Sequence, residues 1–282
     1  MPEEIEMTKV ALLGAGGKMG VRLATNLART DFHVAHVELS TSGQARLKAE
    51  TGLDCVPQDN ALDGAQVVIL AVPDTVIGKV AAAIVPVLAP GTMVVILDAA
   101  APFAGHLPER DDITYFVTHP CHPPIWNDED TPEGRADHFG GVAAKQGVVN
   151  ALMQGPEEHY NLGERVAKAI YAPVARSHRV TVKQMAMLEP GLSETVCASL
   201  MAVMREALDE CVARSGVSHE CARDFLLGHM NILGAVLFNE RDGAFSDACN
   251  KAIEFGKPML MRDDWKRVFE WDEITASIER IT

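Results

Sequence analysis

From Lys9 to Thr118, short runs of Val, Ile, Leu and Ala recur between stretches whose apolar residues fall at helical spacing. The runs predict strands over residues 9–14, 33–39, 55–57, 66–72, 92–97 and 113–118. Two of them, "AQVVILAVP" and "TMVVILDAA", are almost unbroken in apolar residues, the pattern of strands covered on both faces. Strands alternating with helices predict an α/β fold, a doubly wound Rossmann sheet. Residues 122–141 have no period and are rich in Pro, Gly and acids, so a long loop is expected, of the kind that forms lids or substrate loops. A further strand over 145–155, a helix opened by Pro156, and a last strand or linker at 177–182 complete this region.

Beyond residue 180 the period changes for good. Met187, Leu188, Leu192, Val196, Leu200, Val203, Met204 and Leu208 keep helical spacing, interrupted by Pro190 and Gly191. That pair predicts a kink that frees the Ala186 carbonyl. Helices are expected over 219–236, 245–255 and 272–280, with no comparable strand signal. The expected organisation is a doubly wound α/β domain over 1–180 and a smaller all-helical domain over 181–282.

Composition narrows the partners. With 48% hydrophobic residues, the chain of 282 residues is an ordinary globular protein. Its formal charge of −14 repels nucleic acid and anionic membranes, while leaving room for an anionic substrate in a locally basic pocket. No apolar run approaches the ~18 residues of a membrane span, and the acidic start lacks the basic and apolar regions of a signal peptide. The six cysteines include no CxxC pair, so buried free thiols and a cytoplasmic location are expected.

The main chemical signal is "TKVALLGAGGKMG", a strand running into glycines and then into an amphipathic helix. Glycines allow a sharp turn and close approach of a pyrophosphate to the helix N-terminus. Gly14, Ala15, Gly16, Gly17, Lys18 and Met19 are therefore cofactor candidates, although the spacing to Gly20 is one residue longer than the plain GxGxxG pattern. Glu38 closes the second strand, where a carboxylate bonds ribose hydroxyls and repels a 2′-phosphate, which favours NAD over NADP. A solvated strand end is the plain alternative for Glu38. Val72, Pro73 and Asp74 end the next long strand beside the same cleft, and Asp98 ends the one after; either acid could instead cap a helix.

"THPCHPP" sets His119 and His122 on a proline-stiffened loop, where imidazoles could bind metal, donate to a carboxylate or take a proton. Lys183, Glu189 and Glu194 lie in the kinked segment. The expected catalytic set is Lys183, His119 and Glu189, with Lys183 buried enough to titrate usefully, and His119 with Glu194 is the expected metal pair. Surface charges on a helix are the alternative for Lys183, Glu189 and Glu194. His229, on an apolar helix, is more simply a hydrogen-bonded core residue.

"LLGAGGKMG", "VVILAVPD" and the helix carrying Lys183 resemble the 6-phosphogluconate dehydrogenase-like superfamily over most of the chain. Its hydroxyacid dehydrogenases carry Asn three residues after the lysine, where Ala186 stands here, and a glycine-rich substrate motif where this chain has "DAAAPF". "THPCHPP", "MLEPGLSE" and "NKAIEFGKPM" look more like a branch that includes the D-apionate oxidoisomerases. That resemblance implies NAD-dependent oxidation of a hydroxyl on an anionic sugar acid or hydroxy acid, with carboxylate migration helped by an acid or a divalent metal ion at His119 with Glu189 or Glu194. A metal-assisted isomeroreductase is the nearest alternative, and a non-catalytic NAD-sensing module is the alternative of another class. The Met- and Leu-rich helices suggest a homodimer.

Overall fold

The structure, a computed structural model, describes residues 7–282. The acidic residues 1–6, part of the stretch read above as lacking a signal peptide, lie outside the described residues. The chain divides into two compact units, one ending at Ala186 and also holding Thr275–Thr282, the other comprising Met187–Ile274. The expected boundary at 180/181 thus differs in two ways: the short helix Val182–Ala186 stays with the first unit, and so does the end of the chain.

In the first unit the order is β1 (Lys9–Leu13), α1 (Lys18–Leu27), β2 (His33–Val37), α2 (Thr41–Thr51), α3 (Gln58–Leu62), β3 (Val67–Leu70), α4 (Asp74–Ile84), β4 (Met93–Ile96) and α5 (Ala100–Phe103). Then follow β5 (Thr114–Pro120), α6 (Pro132–Ala136), β6 (Gln146–Gln154), α7 (His159–Ile170), β7 (Val174–Arg179) and α8 (Val182–Ala186). The seven strands form one sheet in the order β2-β1-β3-β4-β5-β6-β7. Alternation along β1 shows why both faces are buried: Val10 and Leu12 enter one core with Leu23, Leu27 and Val166, whereas Ala11 and Leu13 enter the other with Ile77 and Ile84. Helices α1 and α7 cover one face and α4 the other, so this is a Rossmann-like doubly wound sheet.

The sheet is not parallel throughout. β1 to β5 are parallel, β6 runs antiparallel to β5, and β7 pairs parallel with β6. The reason is the connection 121–145, which leaves β5 and returns to β6 at the same end of the sheet, as a wide hairpin and not a crossover. The expected strand at 55–57 reduces to a single bridge between His36 and Cys55.

That connection is anchored and carries one short helix, α6, capped by Thr131. Asp137, 8% exposed, accepts four backbone N–H groups, from Gly140 (2.9 Å), Val142 (3.1 Å), Ala143 (2.9 Å) and Ala144 (3.2 Å). Buried Asn26 of α1 donates to the carbonyls of Gly141 (3.0 Å) and Ile170 (3.1 Å), and Arg22 to that of Gly140 (2.8 Å). A loop whose backbone groups are satisfied in this way has lost the freedom expected of a lid.

The second unit begins with a π-helix, Met187–Ala198, followed by α9 (Ser199–Ser215), α10 (His219–Leu237) and α11 (Asp247–Leu260); α12 (Trp271–Ile281) closes the chain. The expected kink at Pro190 takes the form of these wider helical turns. Proline lacks an N–H and crowds the carbonyl four residues back, and a wider turn relieves both. Thr195 Oγ1 donates to the Pro190 carbonyl at 2.6 Å. The cysteines are free, as expected, but Cys121, Cys197, Cys211 and Cys221 are exposed and not buried. Large apolar side chains on α10 and α11 are likewise exposed, among them Phe225, Leu237, Phe255 and Met259. No helix of the described residues is long and apolar enough to cross a membrane.

Burial pushes the Asp137 carboxyl up, but the four N–H donors outweigh it and hold the group below its ordinary value of 3.8. Its stabilising contribution is therefore complete above that value and is lost as pH falls through the lowered one. D137A should lower the unfolding free energy by about 2–4 kcal/mol in denaturant titrations, and D137N should flatten the acid side of the stability–pH curve.

Candidate active site

The glycine turn is fixed by close backbone approaches. Gly14 adopts φ +80, and its N–H and that of Ala15 both donate to the Val37 carbonyl, at 2.9 and 3.0 Å. A Cβ would lie 2.2 Å from the Ala71 oxygen at Gly14, 2.3 Å from the Gly43 oxygen at Gly16, and 2.0 Å from the Gly14 oxygen at Gly20. Gly17 is different: it is the N-cap of α1, and its Cβ would come no nearer than 3.3 Å to the Gly14 oxygen and 3.9 Å to the Ala71 oxygen. The irregular spacing thus reflects three glycines demanded by packing and a fourth at the cap.

Gly17 N–H donates to the Gly14 carbonyl, and Val21 N–H makes the first α1 bond to Gly17. The N–H groups of Lys18, Met19 and Gly20 therefore form the open first turn of α1, which has no side-chain cap and no acid. Exposed Lys18 adds a positive charge there. An open, positive helix start beside a glycine turn suits a pyrophosphate.

Glu38 stands just past β2, where the sequence puts it, and is held on several sides. Oε2 accepts from Gly16 N–H (3.1 Å), and Oε1 from the Ser40 N–H (2.8 Å) and hydroxyl (3.0 Å). A cavity of about 200 Å³ is lined by Gly14, Gly17, Glu38, Leu39, Val72 and Pro73 among others. Leu39, 84% exposed, and Gln58 are wall residues that sequence reading missed. An apolar residue directly after the strand-end acid was the available signal for Leu39. Arg46 was missed as well; it donates to the Gly16 carbonyl at 2.7 Å from α2. Asp74 is the first residue of α4, after the N-cap Pro73.

Because β4 and β5 are neighbours, their ends bring Asp98 and His119 together. A carboxylate oxygen of Asp98 and a ring nitrogen of His119 lie within 4.8 Å of each other. Asp98 is 8% exposed, and its Oδ1 accepts from Ala100 N–H at 2.5 Å. His119 Nδ1 lies 2.8 Å from the Pro120 carbonyl, and His122 Nδ1 lies 2.7 Å from that of Phe139. A carbonyl can only accept, so each neutral ring carries its proton on Nδ1 and its lone pair on Nε2.

The other expected residues are not all in such settings. Lys183 is exposed on α8, whose buried side is formed by Met185 and Ala186, so the expected burial is absent. Glu189 is half-buried and Glu194 exposed, both in the π-helix of the second unit. His229 is exposed and not a core residue; it stacks on Phe225 at 4.2 Å beside an apolar groove of about 480 Å³ between α9 and α10.

The sheet, the glycine turn and the acid after β2 define a dinucleotide-binding oxidoreductase of the Rossmann class. Two family models match: "NADP oxidoreductase coenzyme F420-dependent" over residues 9–102 and "Phosphogluconate dehydrogenase (decarboxylating) C-term" over residues 127–282. The D-apionate oxidoisomerase of Rhizobium rhizogenes is 72% identical, covering 98% of this chain and 100% of its own, and that of Cupriavidus necator is 70% identical, covering 97% and 99%. A crystal structure described as a semialdehyde dehydrogenase NAD-binding protein from Cupriavidus necator, in complex with calcium and NAD, superposes with a TM-score of 0.96 at 70% identity, covering 98% of this chain and 99% of that one. The chain belongs to the D-apionate oxidoisomerase family.

G20A should fail to fold or lose at least about 3 kcal/mol of stability, because its Cβ meets backbone that cannot move aside. G17A should keep the wild-type melting temperature within a few degrees, and its loss should appear in a calorimetric titration with NADH.

Proposed function

We propose that the protein is an NAD-dependent oxidoisomerase that oxidises a hydroxyl of a branched sugar acid, with D-apionate, the acid in its relatives' names, as substrate. The observation that carries this reading is the pairing of two features on adjacent strand ends: a cofactor cavity with a fixed carboxylate at its ribose end, and the Asp98–His119 pair. Glu38 is tied by Gly16 and Ser40, so it meets a ribose diol with little reorganisation and repels a 2′-phosphate. This supports NAD, despite the name NADP in one matching model. Bound NAD accepts the hydride.

His119 takes the hydroxyl proton on Nε2. Its tautomer is fixed by the Pro120 carbonyl, and the Asp98 carboxylate nearby stabilises the imidazolium that forms. Lys183 is the second candidate for this role. A metal-assisted variant is favoured by the same acid–imidazole pair and by the calcium in the relative's structure. Asp98 and His119 would hold a divalent ion there, which would polarise the ketone for carboxylate migration. Glu189 and Glu194 stay candidates for this chemistry on sequence grounds. The exposed apolar residues of α10 and α11 suit a homodimer, and the free thiols suit the cytoplasm.

Mixing the protein with D-apionate and NAD should raise absorbance of the reduced cofactor, with NADP far poorer. H119Q should lower kcat by about 10²–10⁴-fold, and E38A should narrow the preference for NAD over NADP by about tenfold or more. Exhaustive chelation that leaves turnover and product intact would remove the metal variant; no NAD reduction with any sugar acid would sink the oxidoreductase reading.

A further inference from the structure

His122 is built at a conformational cost that the mechanism above does not use. It is one of two non-glycine residues with positive φ among those described, at φ 61, and it precedes Pro123. A residue before proline prefers extended backbone, and a β-carbon disfavours the left-handed region, so the position is doubly unfavourable. Such strain persists only where surrounding structure imposes it, and it clusters at functional sites.

What imposes it here is a chain of contacts within the first unit. The His122 ring packs on Phe139 with centroids 4.8 Å apart, and its Nδ1 donates to the Phe139 carbonyl. Phe139 in turn lies under the Arg22 guanidinium, 4.4 Å from the ring centroid. Arg22 is anchored by the Gly140 carbonyl and sits 4.0 Å from Asp137, whose four N–H donors set the loop. The imidazole also lies 6.0 Å from that of His119 between ring centroids, nearly perpendicular to it. The ring is thus held in one tautomer and one direction, beside the group assigned to the substrate hydroxyl.

The charges at this corner divide the two histidines. Asp98 lies against His119 and would repel a substrate carboxylate there, whereas no carboxylate among the described residues pairs with His122. Arg22 is already engaged by Asp137, Gly140 and Phe139. Resting on the sugar-acid reading above, we propose that His122 receives the substrate carboxylate as an imidazolium, with Nδ1–H on the Phe139 carbonyl and Nε2–H on the carboxylate, and so sets the selectivity for acids over the corresponding alcohols while His119 addresses the hydroxyl.

The test compares wild type with H122N, since Asn tolerates positive φ and removes the Nε2 donor, and with H122G, which fits the backbone without any side chain. Both should keep the wild-type melting temperature within a few degrees. KM for D-apionate should rise by about 10–100-fold, the range for one lost charge-assisted hydrogen bond, with kcat and KM for NAD within about threefold of wild type. The wild-type preference for the acid over the analogue bearing CH2OH in place of the carboxylate should disappear. A fall in kcat at unchanged KM would overturn the proposal and give His122 a role in proton transfer. An unchanged preference for the acid would place carboxylate recognition elsewhere and also overturn it. Both outcomes leave the proposed function standing, whereas wild-type protein that oxidises no sugar acid would sink that function and this inference together.

Discussion

The first unit depends on how closely α1 can approach the end of β1. Gly20 packs where any Cβ would meet the Gly14 carbonyl, and Gly14 packs where one would meet Ala71 at the end of β3. This approach brings the turn, the start of α1 and the edge of β3 around one cavity. It also lets one carbonyl, that of Val37, accept two N–H groups of the turn and fasten it to β2. Fold and cofactor chemistry are here the same constraint, because the backbone N–H groups that must face phosphate are positioned by packing.

Glycines that answer to packing and glycines that answer to a ligand look alike in a sequence. "GAGGKMG" announces the turn, but only the structure separates Gly14, Gly16 and Gly20, where a Cβ would fall within 2.3 Å of a backbone oxygen, from Gly17, where the nearest would be 3.3 Å away. Much else was legible. Strands buried on both faces betray themselves by unbroken apolar runs, and strand ends in a doubly wound sheet are where ligands bind, so Glu38, Asp98 and His119 could be placed on one edge from spacing alone.

Other features were not legible, for physical reasons. Period-two patterning carries no sign of strand direction, so the reversal at β6 was hidden. α2 buries only Gly43 and Leu47, too few apolar positions to show a period, although Ser40 at its N-cap was a cue. The wide turn of the π-helix shifts apolar positions by less than a residue per turn, so it reads as an ordinary helix broken by Pro190. The Asp137 cluster joins an acid to N–H groups whose positions exist only once the loop has folded.

That cluster changes what the long loop can do. A lid must cost little to open, which requires few satisfied backbone groups. Residues 121–145 are the opposite: Asp137, Asn26 and Arg22 tie them to one another and to α1. A loop so constrained contributes by holding side chains still. Both imidazoles at this corner have their Nδ1 committed to main-chain carbonyls, one supplied by the neighbouring residue and the other from across the loop. Their Nε2 atoms are therefore aimed before any substrate arrives, and reorganisation that a mobile loop would undergo at binding has been met in folding. The strain at His122 fits this division: the loop's hydrogen bonds and ring contacts offset an unfavourable backbone conformation so that one nitrogen points in a fixed direction.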